Sequence, residues 1–192
     1  MEEIDLGVCA GRLFPGSSRA AAIVLPGARY LPGYPLLWFT RTTLCARDWT
    51  VLEVWDEWRG GSDPAAWVAA RATAALARLD AAAQPMLVGK SISSHAASVA
   101  AERALPGIWL TPLLTTDTVF EAVRRSSAPT LLVGGSADAV WDESRLRQLA
   151  RAQTLTIPDA NHSLEIAGDP IASLDALRSV VEAIGAFVDG LG

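Results

Sequence analysis

Met86-Leu87-Val88-Gly89-Lys90-Ser91-Ile92-Ser93-Ser94-His95-Ala96-Ala97 decides how the rest of the chain is read. Its first half is a short apolar strand, the chain turns at Ser91, and small residues continue as a helix. A serine at such a junction, with small residues two before and two after it, has the pattern of a nucleophile elbow. The turn holds its central residue in a strained backbone conformation, and a bulky flank would collide across it. Gly89 and Ser93 satisfy that demand. Ser91 Oγ would then stand at the strand's C-terminal end, with the amide of Ile92 turned towards whatever Ser91 attacks. The pattern reads G-x-S-x-S, with serine where a second glycine is usual, and a serine in this position also serves commonly as a plain helix N-cap.

Gly89-Lys90-Ser91 is also the tail of a phosphate loop, G-x-x-x-x-G-K-[ST], whose cradle of backbone amides needs an earlier glycine. That position is Gln84, and Pro85 after it has no N–H. The strand runs straight into Gly89 and leaves no room for a loop, so nucleotide binding is rejected.

The chain has 192 residues, 51% of them hydrophobic, enough for one domain, 1–192, with a substantial core. A net charge of −5 argues against a nucleic-acid surface or a basic membrane patch. Arg71 and Arg78 break the longest alanine-rich run well short of the ~18–20 apolar residues that span a bilayer. Met1-Glu2-Glu3-Ile4-Asp5 lacks the basic and apolar regions of a signal peptide, so a cytoplasmic protein is expected. Cys9 and Cys45 stand far apart and form no C-x-x-C pair, and neither a disulfide nor a metal is expected.

Outward from the central stretch, apolar strands alternate with helices. Residues 1–19 suggest a short edge strand or two and a turn. Strands are predicted at 20–25, 50–55, 107–110, 129–133 and 154–157. Helices are predicted at 36–48, from a Ser62 or Asp63 cap to about 82, from a Thr116 or Asp117 cap to 125, at 142–151 and at 171–188. The helix that begins at Pro64 is expected to turn Trp67, Ala70, Ala74, Leu76 and Ala77 inwards. Such alternation is the signature of an α/β fold: a mostly parallel sheet with helices on both faces. No linker, repeat or insertion of lid size appears.

In open α/β sheets, ligands sit beyond the carboxyl ends of the strands. Ser91, Asp138 and His162 each follow a strand there, in the order serine, acid, histidine. With the elbow, that order resembles the α/β-hydrolase fold, and in particular small lidless serine hydrolases of the dienelactone-hydrolase group, over roughly residues 20–192. The resemblance implies Ser91 as nucleophile, His162 as general base and then acid, and Asp138 as the carboxylate that orients the imidazole. It implies a small-molecule acyl substrate (a carboxylic ester, thioester or related bond) and no cofactor. The oxyanion would be held by the amides of Ile92 and Ala28, the latter in a loop, Pro26-Gly27-Ala28-Arg29, where the family often has His-Gly.

Each assignment has a competitor. Asp142 lies near Asp138 but suits the cap of the next helix, and Asp159 is too near His162 in the chain. Of the two histidines, His95 is one helical turn from Ser91, where packing beneath the elbow is the commoner outcome. Trp55, Trp58, Trp109 and Trp141 fall near the same sheet edge and either wall an apolar pocket or pack in the core. Arg29 and Tyr30, next to the expected oxyanion loop, are candidates to bind a substrate carboxylate, although a solvated arginine is the commoner outcome. A hydrolase-fold protein that binds without turnover is the alternative from another class, and the oligomeric state is left open.

Overall fold

The structure, a computed structural model, describes residues 1–17 and 19–191. Its sheet has eight strands: β1 (Glu2–Asp5), β2 (Ala10–Phe14), β3 (Ala20–Leu25), β4 (Thr50–Trp55), β5 (Gln84–Lys90), β6 (Gly107–Leu110), β7 (Thr130–Gly135) and β8 (Gln153–Ile157). The order is β1-β2-β4-β3-β5-β6-β7-β8. β1 and β2 are antiparallel, as is the β2–β4 pair, and every other pairing is parallel. The weakly patterned start of the chain thus builds one edge, while the continuous apolar runs build the middle, where both faces are covered.

The helices are α1 (Pro35–Cys45), α2 (Pro64–Leu76), a 3₁₀ segment (Ser91–Ala96) running into α3 (Ala97–Arg103), α4 (Asp117–Arg125), α5 (Glu143–Leu146) and α6 (Pro170–Asp189). Alternate residues of β3 show how the faces divide. Ala22 and Val24 join a core with Leu36, Leu37, Val180 and Ile184 of α1 and α6. Ile23 and Leu25 join the opposite core with Val68, Ala72 and Ala75 of α2 and Val99 of α3. None of the described helices is long and apolar enough to cross a membrane.

Three helical expectations need correcting. The buried face of α2 is Val68, Ala72 and Ala75, whereas Ala70 and Ala77 are exposed. Trp67, Ala74 and Leu76 do turn inwards, partly buried against the core that holds Val68, with the Arg71 guanidinium over the Trp67 ring, 4.3 Å from its centroid. Asp63 does cap α2, accepting from the amides of Ala65 and Ala66, but the helix stops at Leu76 and Asp80 makes a turn with the Ala82 amide. The helix expected at 142–151 is one turn, α5. Beyond it, Gln148, Leu149 and Ala152 donate to carbonyls three residues back, which tightens the chain into successive turns while burying Leu149.

Candidate active site

The elbow forms at the C-terminal end of β5. Ser91 has a φ of +54°, a left-handed conformation strained for a residue with a Cβ, and it is 9% exposed. The requirement for a small residue two positions earlier is measurable. A Cβ on Gly89 would stand 2.7 Å from the Ser93 carbonyl oxygen and 3.0 Å from the Trp109 ring. Gly89→Ala is therefore expected to destabilise the protein by about 1–3 kcal/mol, read from urea unfolding. An unchanged midpoint would mean that the turn tolerates the clash.

Ser93, the residue standing where a second glycine is usual, has a use for its hydroxyl. Buried Ser93 Oγ donates to the carbonyl of Pro26, tying the elbow helix to the loop that carries Gly27 and Ala28. Its neighbour Ser94 accepts from the amide of Leu113 at 3.1 Å, fixing the chain beyond β6 in the same way.

The structure brings together the three residues named from chain order. His162 Nε2 lies 2.8 Å from Ser91 Oγ, and its Nδ1 lies 2.7 Å from Asp138 Oδ2. With Nδ1–H donating to the carboxylate, Nε2 is left as acceptor for the serine hydroxyl. Asp138 is buried, and its Oδ1 accepts the amide of Val140 at 3.1 Å. The loop bearing His162 is held by Asn161 Oδ1, which accepts from the amides of Ser163 and Glu165.

Gly134 and Gly135 carry β7 beyond the expected strand end at Val133 and let other groups come close. A Cβ on Gly135 would meet the Ala160 carbonyl at 2.0 Å, and one on Gly134 would meet the Trp141 ring at 2.1 Å. The acid loop and the histidine loop can therefore pack directly against each other.

Sequence reasoning missed Lys90. It is 3% exposed, with Nζ donating to Thr111 Oγ1 at 3.0 Å and to the His162 carbonyl at 2.9 Å. The ammonium also stands 5.1 Å from the centroid of the Tyr30 ring. Burial pulls its pKa from 10.5 down to about 8, against the opposing pull of the Asp138 charge. The unfolded chain binds the extra proton between those two values, so stability gains as pH rises through that window. At neutral pH the buried ammonium is therefore a cost to the fold. The available signal was a lysine ending a strand whose neighbours are all apolar.

The remaining named residues are placed as follows. Ile92 is buried directly after Ser91, while Ala28 and Arg29 are exposed in the loop after β3, Arg29 at a φ of +54°. Tyr30 is half-buried, with its hydroxyl accepting from the amide of Leu36 at 3.1 Å and its ring 4.9 Å from that of Tyr34. His95 is half-buried on the 3₁₀ segment and held below the ordinary histidine pKa by burial, partly offset by the Asp63 charge. Asp142 caps α5 through the amides of Ser144 and Arg145, and Asp159 is exposed.

The tryptophan wall needs correcting. Trp109 is 1% exposed, its ring lying where Gly89 and Gly107 leave space, and Trp141 is buried with Nε1 donating to Thr156 Oγ1 at 3.2 Å. Both are core residues. Trp55 donates to buried Glu53, which Arg41 also meets at 2.8 Å. Trp58 is partly buried against the core shared with α2 and α3, and its indole N–H has no partner among the described residues. No group of three or more His, Cys, Asp or Glu among the described residues is arranged to hold a metal.

No protein-family model and no curated protein sequence matches the chain. Solved structures do. An α/β serine hydrolase homologue from Coxiella burnetii superposes with a TM-score of 0.77 at 13% identity, over 96% of this chain and 95% of that one. Est1E from Butyrivibrio proteoclasticus, with ferulic acid bound, gives 0.74 at 16% identity, over 98% of each chain. Dienelactone hydrolase from Anabaena variabilis gives 0.72 at 19% identity, over 94% of each. What is shared at such identities is architecture, carried over nearly the full length of small serine hydrolases: the chain has the α/β-hydrolase fold.

Proposed function

We propose that the protein is a serine hydrolase that cleaves a carboxylic ester, thioester or related acyl bond through an acyl-enzyme on Ser91. The observation that carries this reading is the unbroken chain from Asp138 through His162 to a serine held at positive φ on a strand–helix turn. Neighbours of the same fold include an esterase domain from Rhodothermus marinus, a dienelactone hydrolase and Est1E with ferulic acid bound, in keeping with a small acyl substrate.

Ser91 Oγ attacks the acyl carbon as its proton passes to His162 Nε2, and Asp138 stabilises the imidazolium. The oxyanion takes hydrogen bonds from the amides of Ile92 and Ala28. His162 then protonates the departing alkoxide or thiolate, leaving the acyl group on Ser91. Water, losing a proton to the same Nε2, attacks the ester, and Ser91 leaves with that proton. Each step moves a proton to or from His162 Nε2, with no metal or organic cofactor required. The protein is read as one domain acting in the cytoplasm on a small molecule, with no role for nucleic acid or membrane.

Labelling by a fluorophosphonate tests this, because the reaction needs an activated serine and a working oxyanion hole. Covalent modification of Ser91 is expected, lost in His162→Ala and retained in His95→Ala. Chromogenic esters of graded acyl length then define the substrate class. An unlabelled Ser91 in folded protein overturns the reading and favours a binding protein of the same fold.

A further inference from the structure

Once Gly89-Lys90-Ser91 is rejected as a phosphate loop, its lysine has no assigned work, yet it is a buried charge next to the proposed nucleophile. Stability does not account for it, since apolar groups of similar volume commonly replace buried charges without loss. We propose that Lys90 is a positioning residue, whose ammonium holds the backbone of His162 and whose stem braces the oxyanion loop against the elbow. The inference rests on the hydrolase reading above.

The contacts divide between two halves of the machinery. On one side, Nζ grips the carbonyl of His162 at 2.9 Å and anchors to Thr111 Oγ1, at the end of β6, at 3.0 Å. His162 must keep Nε2 on Ser91 and Nδ1 on Asp138 together, so fixing its main chain fixes the ring's starting point. On the other side, a Cβ on Gly27 would stand 2.9 Å from Lys90 Cδ, so the stem passes directly over the residue before Ala28. Tyr30, in the same loop, offers its ring face to the ammonium. One side chain, adjoining Ser91, thus touches the loops after β3, β6 and β8.

A hydrogen bond from a charged donor is roughly twice as strong as a neutral one, so the grip depends on the proton. That proton is lost at about pH 8. The charged or titratable groups around Nζ are Asp138 from the loop after β7, His162 from the loop after β8 and Tyr30 from the loop after β3, with Glu165 acting on Tyr30. Asp138 favours the ammonium. Burial raises the Tyr30 phenol above its ordinary value, so it stays neutral where Lys90 titrates.

The test follows kcat from about pH 6 to 9.5, using an ester whose alcohol does not ionise in that range. Wild type, Lys90→Met and Thr111→Val are compared, and amide hydrogen exchange over 158–166 is corrected for its intrinsic pH dependence. Wild type is expected to lose kcat on a descending limb near pH 8, as exchange in 158–166 quickens. Lys90→Met should show no such limb, a kcat lower by on the order of 10- to 100-fold, little change in KM and fast exchange at every pH. Thr111→Val, which removes one acceptor from the ammonium, should move the limb to lower pH.

Three results overturn the proposal: a wild type with no descending limb, a Lys90→Met variant with the parent's kcat and profile, or an unmoved limb in Thr111→Val. Should Lys90→Met fail to fold, the Thr111→Val limb decides alone. Absence of any Ser91-dependent turnover in wild type overturns the hydrolase reading and this proposal with it. Ser91-dependent turnover with a flat Lys90 response overturns the proposal alone.

Discussion

Ser91→Ala is expected to fold as the parent does and to lose ester hydrolysis by roughly 10³-fold or more. The fold should survive because the substitution removes one hydroxyl whose partner is the half-exposed His162 ring. Alanine also carries the same Cβ as serine, so the strain at a φ of +54° is unchanged. Chemistry should collapse because, among the described residues, no other hydroxyl meets His162 Nε2. Some acceleration over water can remain, since the oxyanion amides would still bind the transition state of direct water attack. The comparison is kcat/KM and thermal midpoint in purified protein free of contaminating esterase. Parental activity in Ser91→Ala would sink the mechanism.

Asp138→Asn should cost still more, and the contacts of the carboxylate say why. Oδ1 already accepts the Val140 amide, and Oδ2 accepts Nδ1–H of His162. An asparagine must keep its carbonyl oxygen on Val140, which turns its NH₂ towards the imidazole. A donor there selects the tautomer protonated at Nε2, which can no longer take the serine proton. By analogy with the serine-protease template, the loss is on the order of 10⁴ in kcat. Asp142→Asn is the control, because Asp142 accepts from the amides of Ser144 and Arg145 at the start of α5, a cap that asparagine serves about as well, so activity and thermal midpoint should stay close to the parent's. Measured side by side, a collapse in Asp142→Asn with a healthy Asp138→Asn would mean that the acid is misassigned.

The fold was legible because its central strands are continuous apolar runs, each ended by glycine, proline or a polar residue, with helices between. The three residues of the candidate site could be named together for a related reason: in this architecture, side chains that can meet a ligand collect where strands end. What failed was orientation. Alanine adds little to an amphipathic pattern, so the inward face of α2 was settled by Val68 and the sheet beneath it. Trp109 stands near the end of β6, yet Gly89 on the neighbouring strand and Gly107 on its own open a slot that takes its ring into the core. Lys90 could not be read because its acceptors lie 21 and 72 residues away in the chain. Ser93 was read only as a small residue, although its hydroxyl reaches a carbonyl 67 residues distant.

The histidine loop follows β8, which pairs with β7 alone and closes one side of the sheet. Four of the five β8 residues are at least partly open to solvent, in contrast to the buried strand that leads to Ser91. Border strands of this kind fray at lower free energy than the centre of a domain. On the proposed mechanism, detachment of β8 would disconnect His162 while Ser91 stays on its elbow, so reversible loss of activity is expected ahead of global unfolding on heating.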